Sequence, residues 1–212
     1  MGTKNEEYIK ECLIEVNNKK IPFSYQHIFE EEGFYEIRYS FIKNLNSINY
    51  IFCECFDLVN VDFSNFYSNN ITDMRYMLYL CSSLTYINLS GFNTESSITM
   101  EAMFAGCSSL KNLDLSSFNT TNVTNMGFMF TDCGSLKNLD LSKFNTQNVT
   151  NFNHMFQNCN SLIELNISNF SSGKAGIVMF GVFWQCHSLK KLTARDQRLI
   201  KQAKKDRNCI IF

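Results

Sequence analysis

A cysteine returns every 26 residues in this chain: Cys55, Cys81, Cys107, Cys133 and Cys159, then Cys186 after one interval of 27. The text around it returns too. Residues 107–132 read CSSLKNLDLSSFNTTNVTNMGFMFTD and residues 133–158 read CGSLKNLDLSKFNTQNVTNFNHMFQN. Self-similarity at a short fixed period marks units that cannot bury an apolar face alone and do so by stacking on their neighbours. Such a chain presents a long surface and does not close around a pocket. It constrains architecture tightly and partner identity weakly.

Within one unit, Leu113 and Leu115 alternate with Asn112, Asp114 and Ser116. That period of two reads as a short strand, leucines inward and polar residues outward. The following segment places Val123, Met126, Met129 and Phe130 three and four apart, which predicts a short helical return on the convex side, capped by Thr120 or Asn122. Cys133 then turns the chain back toward the next strand. Equivalent strands of stacked units would lie about 4.8 Å apart in a parallel sheet.

The stretch Leu110-x-x-Leu113-x-Leu115-x-x-Phe118-Asn119, and the longer text CxSLxxLxLSxFNTxxVTNMxxMF, resemble the BspA-like leucine-rich repeats of bacterial surface proteins, mycoplasma lipoproteins and parasitic protists. The resemblance covers residues 55–192. Residues 34–54 read as a degenerate further coil, with Leu45, Ile48, Ile51 and Phe52 in register with Val123, Met126, Met129 and Phe130. The resemblance implies adhesion or protein recognition without fixing a ligand. Two copies deviate: Ser97 stands where its neighbours have Ile71 and Val123, and 171–185 reads SSGKAGIVMFGVFWQ with the single tryptophan, Trp184.

The expected fold is therefore an α/β repeat solenoid of the leucine-rich-repeat type, with a parallel concave sheet and short helical convex segments. Open ends of such a stack expose apolar cross-sections and need caps. Residues 11–16, a turn at Asn17-Asn18-Lys19, and residues 20–23 predict an N-terminal β-hairpin cap, giving a first region at 1–33. The repeats then occupy 34–192. Residues 194–207 predict a helix with Leu199, Ile200 and Ala203 on one face, so 193–212 form a basic helical C-terminal cap and tail. Capped ends predict a monomer.

At 212 residues and 45% hydrophobic the chain supports a substantial core, and most of its 20 Phe fall at repeat positions. Net charge is −1, but 187–212 carry eight Lys and Arg against two Asp, a local +6 that leaves −7 on the remaining 186 residues. The N-terminal MGTKNEEYIKECLIEV lacks the apolar core of a signal peptide, and no run reaches the ~18 apolar residues of a membrane span. Nine cysteines without an export signal point to reduced thiols in the cytoplasm.

The cysteine column invites metal or redox chemistry, but no CxxC pair meets a second pair; the close pair is Cys53-x-Cys55. A small apolar residue turned inward fits the same column, since free cysteine packs as a hydrophobe. His27, His154 and His187 occupy unrelated repeat positions, and neither a phosphate loop nor a nucleophile elbow is present. The expectation is a non-enzyme with no cofactor, metal or catalytic residue.

The outward strand positions form three ladders: Asn60, Tyr86, Asn112, Asn138, Glu164; then Asp62, Asn88, Asp114, Asp140, Asn166; then Ser64, Ser90, Ser116, Ser142, Ser168. The first two hold four carboxylates and no Lys or Arg. Asp114 and Asp140 would stand about 5 Å apart, a repulsion of about 1 kcal/mol at surface dielectric. Asp and Asn hydrogen-bonding along the ladder, with Lys111 and Lys137 offsetting charge, is the structural alternative. The functional one is a face for a basic protein segment, made by Asp62, Tyr86, Asn88, Asp114, Asp140, Glu164 and Asn166, with Tyr86 as the large anchor. An acidic face repels phosphates, so specific nucleic-acid binding is not expected.

The last four residues, Cys209-Ile210-Ile211-Phe212, form a C-a-a-X ending downstream of Lys201, Lys204, Lys205 and Arg207. One lipid chain plus a basic patch gives stable attachment to an anionic cytoplasmic leaflet, which makes Cys209 a candidate prenylation site. The alternative is that these residues pack on the last coil as a closing strand. The functional expectation is a protein-recognition module, with Cys209 offering a peripheral membrane tether. The competing class is a BspA-like adhesin of the cell surface binding host or matrix proteins, which requires an export route.

Overall fold

The computed structural model describes residues 12–22, 29–41, 45–66, 69–173 and 176–206. The chain enters through β1 (Leu13–Val16) and β2 (Lys19–Ile21), an antiparallel hairpin pairing Val16 with Lys19. Asn17 and Asn18 turn it with φ of 48° and 64°. Two consecutive left-handed residues define the tight hairpin turn that asparagine tolerates. The hairpin does not stand alone: β3 (Ile37–Ser40) pairs along the other edge of β1 and makes a three-stranded antiparallel sheet.

The repeats contribute β4 (Asn60–Asp62), β5 (Tyr86–Asn88), β6 (Asn138–Asp140), β7 (Glu164–Ile167) and β8 (Lys191–Ala194). They pair in parallel as two separate sheets, β4-β5 and β6-β7-β8. Between them, residues 110–115 form no strand, and Leu113 is half-buried where its equivalent Leu139 is buried. The helix α1 (Gln197–Lys205) closes the described chain.

This overturns the expected α/β solenoid with a parallel concave sheet and helical convex segments and caps. The strands make three small sheets of three, two and three strands, and α1 is the single α-helix among the described residues. The return segments are not helical. Met129 N–H donates to Met126 O, Thr131 to Phe128 and Cys133 to Phe130, each three residues back, as in successive turns. The intervening amides leave their own coil: Met126, Phe128, Phe130 and Asp132 donate to Asn151, Asn153, Met155 and Gln157 of the following coil. A helix keeps these bonds within itself; here stacking takes half of them.

That turn geometry needs two left-handed residues per coil, and they recur with the period: 50 and 54, 76 and 80, 102 and 106, 128 and 132, 154 and 158, 181 and 185. Gly106 (φ 79°) and Gly181 (φ 60°) fill the slots where a Cβ would press on Leu80 and on His154. Thr120 and Asn122 cap no helix. The Thr120 hydroxyl donates to Asn145 O (2.9 Å) and accepts from Asn145 N–H (2.8 Å), and the Asn122 amide reaches back to Glu95 O. Thr94 and Thr146 repeat the exchange with Asn119 and Ser171. A buried hydroxyl paired both ways leaves no polar group unsatisfied.

The core is columnar. Phe104, Phe130, Phe156 and Phe183 stack at 5.8, 5.7 and 5.8 Å, and Phe92, Phe118, Phe144 and Phe170 at 6.2, 6.4 and 6.3 Å. Leu45 and Ile48 of the degenerate coil join this core, with Ile51 and Phe52 packed against it. At the far end, Leu199 and Ala203 of α1 are buried in it. Asp196 caps α1 through Arg198 and Leu199 N–H, and also receives Ser172 Oγ–H at 2.8 Å, so that the threonine column runs into the start of α1.

Candidate protein-recognition face

The cysteine column settles into a packing role. Cys81, Cys107, Cys133, Cys159 and Cys186 are buried, and each Sγ–H donates to a carbonyl of the preceding coil: Phe52, Leu78, Phe104, Phe130 and Phe156, at 3.0 to 3.3 Å. Burial, reinforced by neighbouring cysteines, pushes the Cys81 thiol up to about 12 and also raises those of Cys107 and Cys133 well above the ordinary thiol value. The thiol, not the nucleophilic thiolate, is the resident form. Cys55 is exposed and Cys53 half-buried.

The outward strand positions assemble by register. Asn60 faces Tyr86 and Asp62 faces Asn88 across β4-β5; Asn138 faces Glu164 and Asp140 faces Asn166 across β6-β7. The turn after each strand is made by its own outward residue. Oδ1 of Asp62, Asn88, Asp114, Asp140 and Asn166 accepts the N–H of the serine two places on, at 2.7 to 3.2 Å. The second ladder is thus a column of Asx-turns, which Asp and Asn serve equally. The serine N–H bonds hold the carboxyls of Asp62, Asp114 and Asp140 below their ordinary range, and the Asn88 and Asn166 amides add to this for Asp62 and Asp140. These groups stay ionised, with one oxygen committed to the turn.

The predicted residues divide into two places. Asp114, Asp140, Glu164 and Asn166 line a shallow groove of about 750 Å³ with Asn138 and Lys191. Asp62, Tyr86 and Asn88 lie on β4-β5, outside that groove, with Tyr86 56% exposed. Asp114 and Asp140 are not joined by strand pairing, because β6 has no partner on that side.

The expectation of a face without basic groups is corrected. Lys191 continues the first ladder one coil further, opposite Glu164, and their charged ends meet at 2.9 Å. Thr193 likewise continues the second. The 27-residue interval of the last repeat holds the signal, since adding 27 to Glu164 lands on Lys191. Both partners of the pair are more than half exposed, so it contributes little to stability. Cys209 and its neighbours, the proposed tether, lie outside the described residues, as does His27.

A family model described as "Mycoplasma protein of unknown function, DUF285" matches residues 46–170 and 84–195, which together span the repeats. The chain belongs to this family. No curated protein and no solved structure matches it significantly. The matched region holds every residue of the candidate face and all six periodic cysteines. The described N-terminal sheet, β1 to β3, falls outside it.

Proposed function

We propose that this chain is a non-enzymatic protein-recognition module whose groove beside β6 and β7 takes a basic protein segment. The observation that carries the reading is the state of the groove carboxylates. Asp114 and Asp140 are exposed and ionised, and each has Oδ1 oriented by the backbone N–H of the serine two places on. A carboxylate oriented by its own turn loses little entropy when it binds. Opposite charge across an exposed contact sets on-rate and specificity more than raw affinity. The resemblance of the repeat text to BspA-like repeats supports recognition as the class of activity.

The test is fluorescence titration with an oligo-lysine peptide, comparing the native chain with Asp114→Lys plus Asp140→Lys. Binding that weakens at least about ten-fold in the double variant, with an unchanged urea midpoint, supports the reading. Equal binding by the two proteins refutes it.

A further inference from the structure

The stack of repeats has two unlike ends, because its ladder on the cysteine side is polar. Through the return turns every second N–H donates forward to a carbonyl of the following coil: Ile48, Tyr50, Phe52 and Glu54 to Asp73, Arg75, Met77 and Tyr79, and so on to Asn158 with Trp184. Just before each turn one amide, as in Thr72 to Asn46 and Val178 to Thr150, donates backward. The return turn of the first coil is therefore left with carbonyls and that of the last with amides. Among the described residues no donor meets the carbonyl oxygens of Asn49, Ile51 and Cys53, and no acceptor meets the N–H of Gly181 and Gln185. Between those two amides, Phe183 N–H already holds a carboxylate, Asp206 Oδ2 at 3.0 Å.

Apolar side chains flank both open rows. Tyr50 and Phe56 border the carbonyl row, the latter 50% exposed; Val178, Phe180 and Trp184 border the amide row, with Phe180 64% exposed. The ends also differ in charge. Glu30, Glu31, Glu32 and Glu36 are exposed ahead of the first coil, and Lys201, Lys204 and Lys205 are exposed on α1 after the last. Among the described residues, Tyr39 of β3 packs on Phe52 at 5.7 Å, and α1 buries Leu199 and Ala203 and reaches the amide row only at Phe183, through its cap Asp206.

We propose that the two ends are the matching halves of one head-to-tail contact, and that the occupant of each is a second copy of this chain. Acceptors meet donors, apolar strip meets apolar strip, and acidic end meets basic end. The ladder that joins coil to coil then continues from one molecule to the next through the Gly181 and Gln185 amides, on either side of the Phe183 N–H held by Asp206. Such a contact is heterologous: it uses a different patch on each partner and extends into open chains instead of closing as a dimer. The inference is independent of the groove reading and departs from the monomer expected of capped ends.

Sedimentation velocity on the full chain tests it, using Phe180→Glu at the basic end and Phe56→Lys at the acidic end. The wild type is expected to show a weight-average mass rising about two-fold or more over a concentration series, and less so at high salt. Each variant alone is expected to stay monomeric. Their equimolar mixture is expected to form a dimer and nothing longer, because one intact end remains on each partner. A wild type monomeric at every concentration overturns the proposal, as does a variant that still self-associates or a mixture that stays monomeric. Urea midpoints matching wild type assign the effect to the contact. If either variant unfolds early, Tyr50→Asn and Trp184→Gln replace them at the same ends, Asn being at ease at the positive φ of position 50.

Discussion

The cysteine side and the strand side of the stack are built from the same repeats, yet they differ in continuity. On the cysteine side parallel bridges run unbroken from Ser47 through Asp73, Thr99, Asn125 and Asn151 to Val178. On the strand side the pairing breaks between β5 and β6. The unbroken side is backed by columns of nearly constant residues: Phe104, Phe130, Phe156 and Phe183 beside Cys107, Cys133, Cys159 and Cys186. Equal volumes at equal heights let every rung close. The strand side carries Asn, Tyr, Glu and Lys at one outward position, and what solvent covers has no such constraint. Stability resides on the first side and variation on the second.

The comparison predicts its largest contrast in the core. Phe130→Ala, at a fully buried side chain stacked between two others, is expected to cost about 3–5 kcal/mol by urea unfolding, whereas Leu113→Ala at the strand break costs below about 2 kcal/mol. Equal losses would break the distinction. Next comes the buried hydroxyl column: Thr120→Val strands the N–H and C=O of Asn145 and is expected to cost about 1–3 kcal/mol, with unfolding rates as a second check.

The cysteine column gives a chemical readout. In native protein at pH 8, mass spectrometry after iodoacetamide is expected to find Cys55 labelled and Cys107, Cys133 and Cys159 unlabelled. Raised thiol values also set a sign. Their contribution is fully present below the ordinary thiol value of about 8.5 and is lost as pH climbs through the folded value. For Cys81 that window reaches to about 12. A stability flat from pH 8 to 11 would contradict it.

The smallest effect belongs to the outward carboxylates. Asp140→Asn is expected to change stability at pH 7 by no more than about 0.5 kcal/mol, since asparagine makes the same turn at positions 88 and 166. The lowered carboxyl contributes above its ordinary value of about 3.9 and loses that contribution as pH falls further, so the variant's urea midpoint varies less below pH 4. A large loss at pH 7 would mean the charge itself, and not the turn, shapes this face.

The ladders of the candidate face were legible because a period of 26 and an alternation of two place residues without any tertiary knowledge. The hairpin turn at Asn17-Asn18 and a helical face containing Leu199 and Ala203 were legible for the same local reasons. The return segment was not. Apolar residues three and four apart mark one buried side, and both a helix and a run of turns satisfy that spacing. The division of the face was also hidden, because the strand text LKNLDLS is the same at 110–116, which forms no strand, and at 136–142, which holds β6.

By itself the sequence determined the units, their length, their inward columns and the residues each unit turns outward, since these depend on spacing alone. Tertiary structure decided where the amides go. A lone coil of this text has no rival for its own N–H groups, but a stacked coil offers carbonyls at every second position. Half the return segment then bonds forward and cannot wind into a helix. The same choice gives the ladder its direction, and with it an amide end and a carbonyl end that no single repeat possesses.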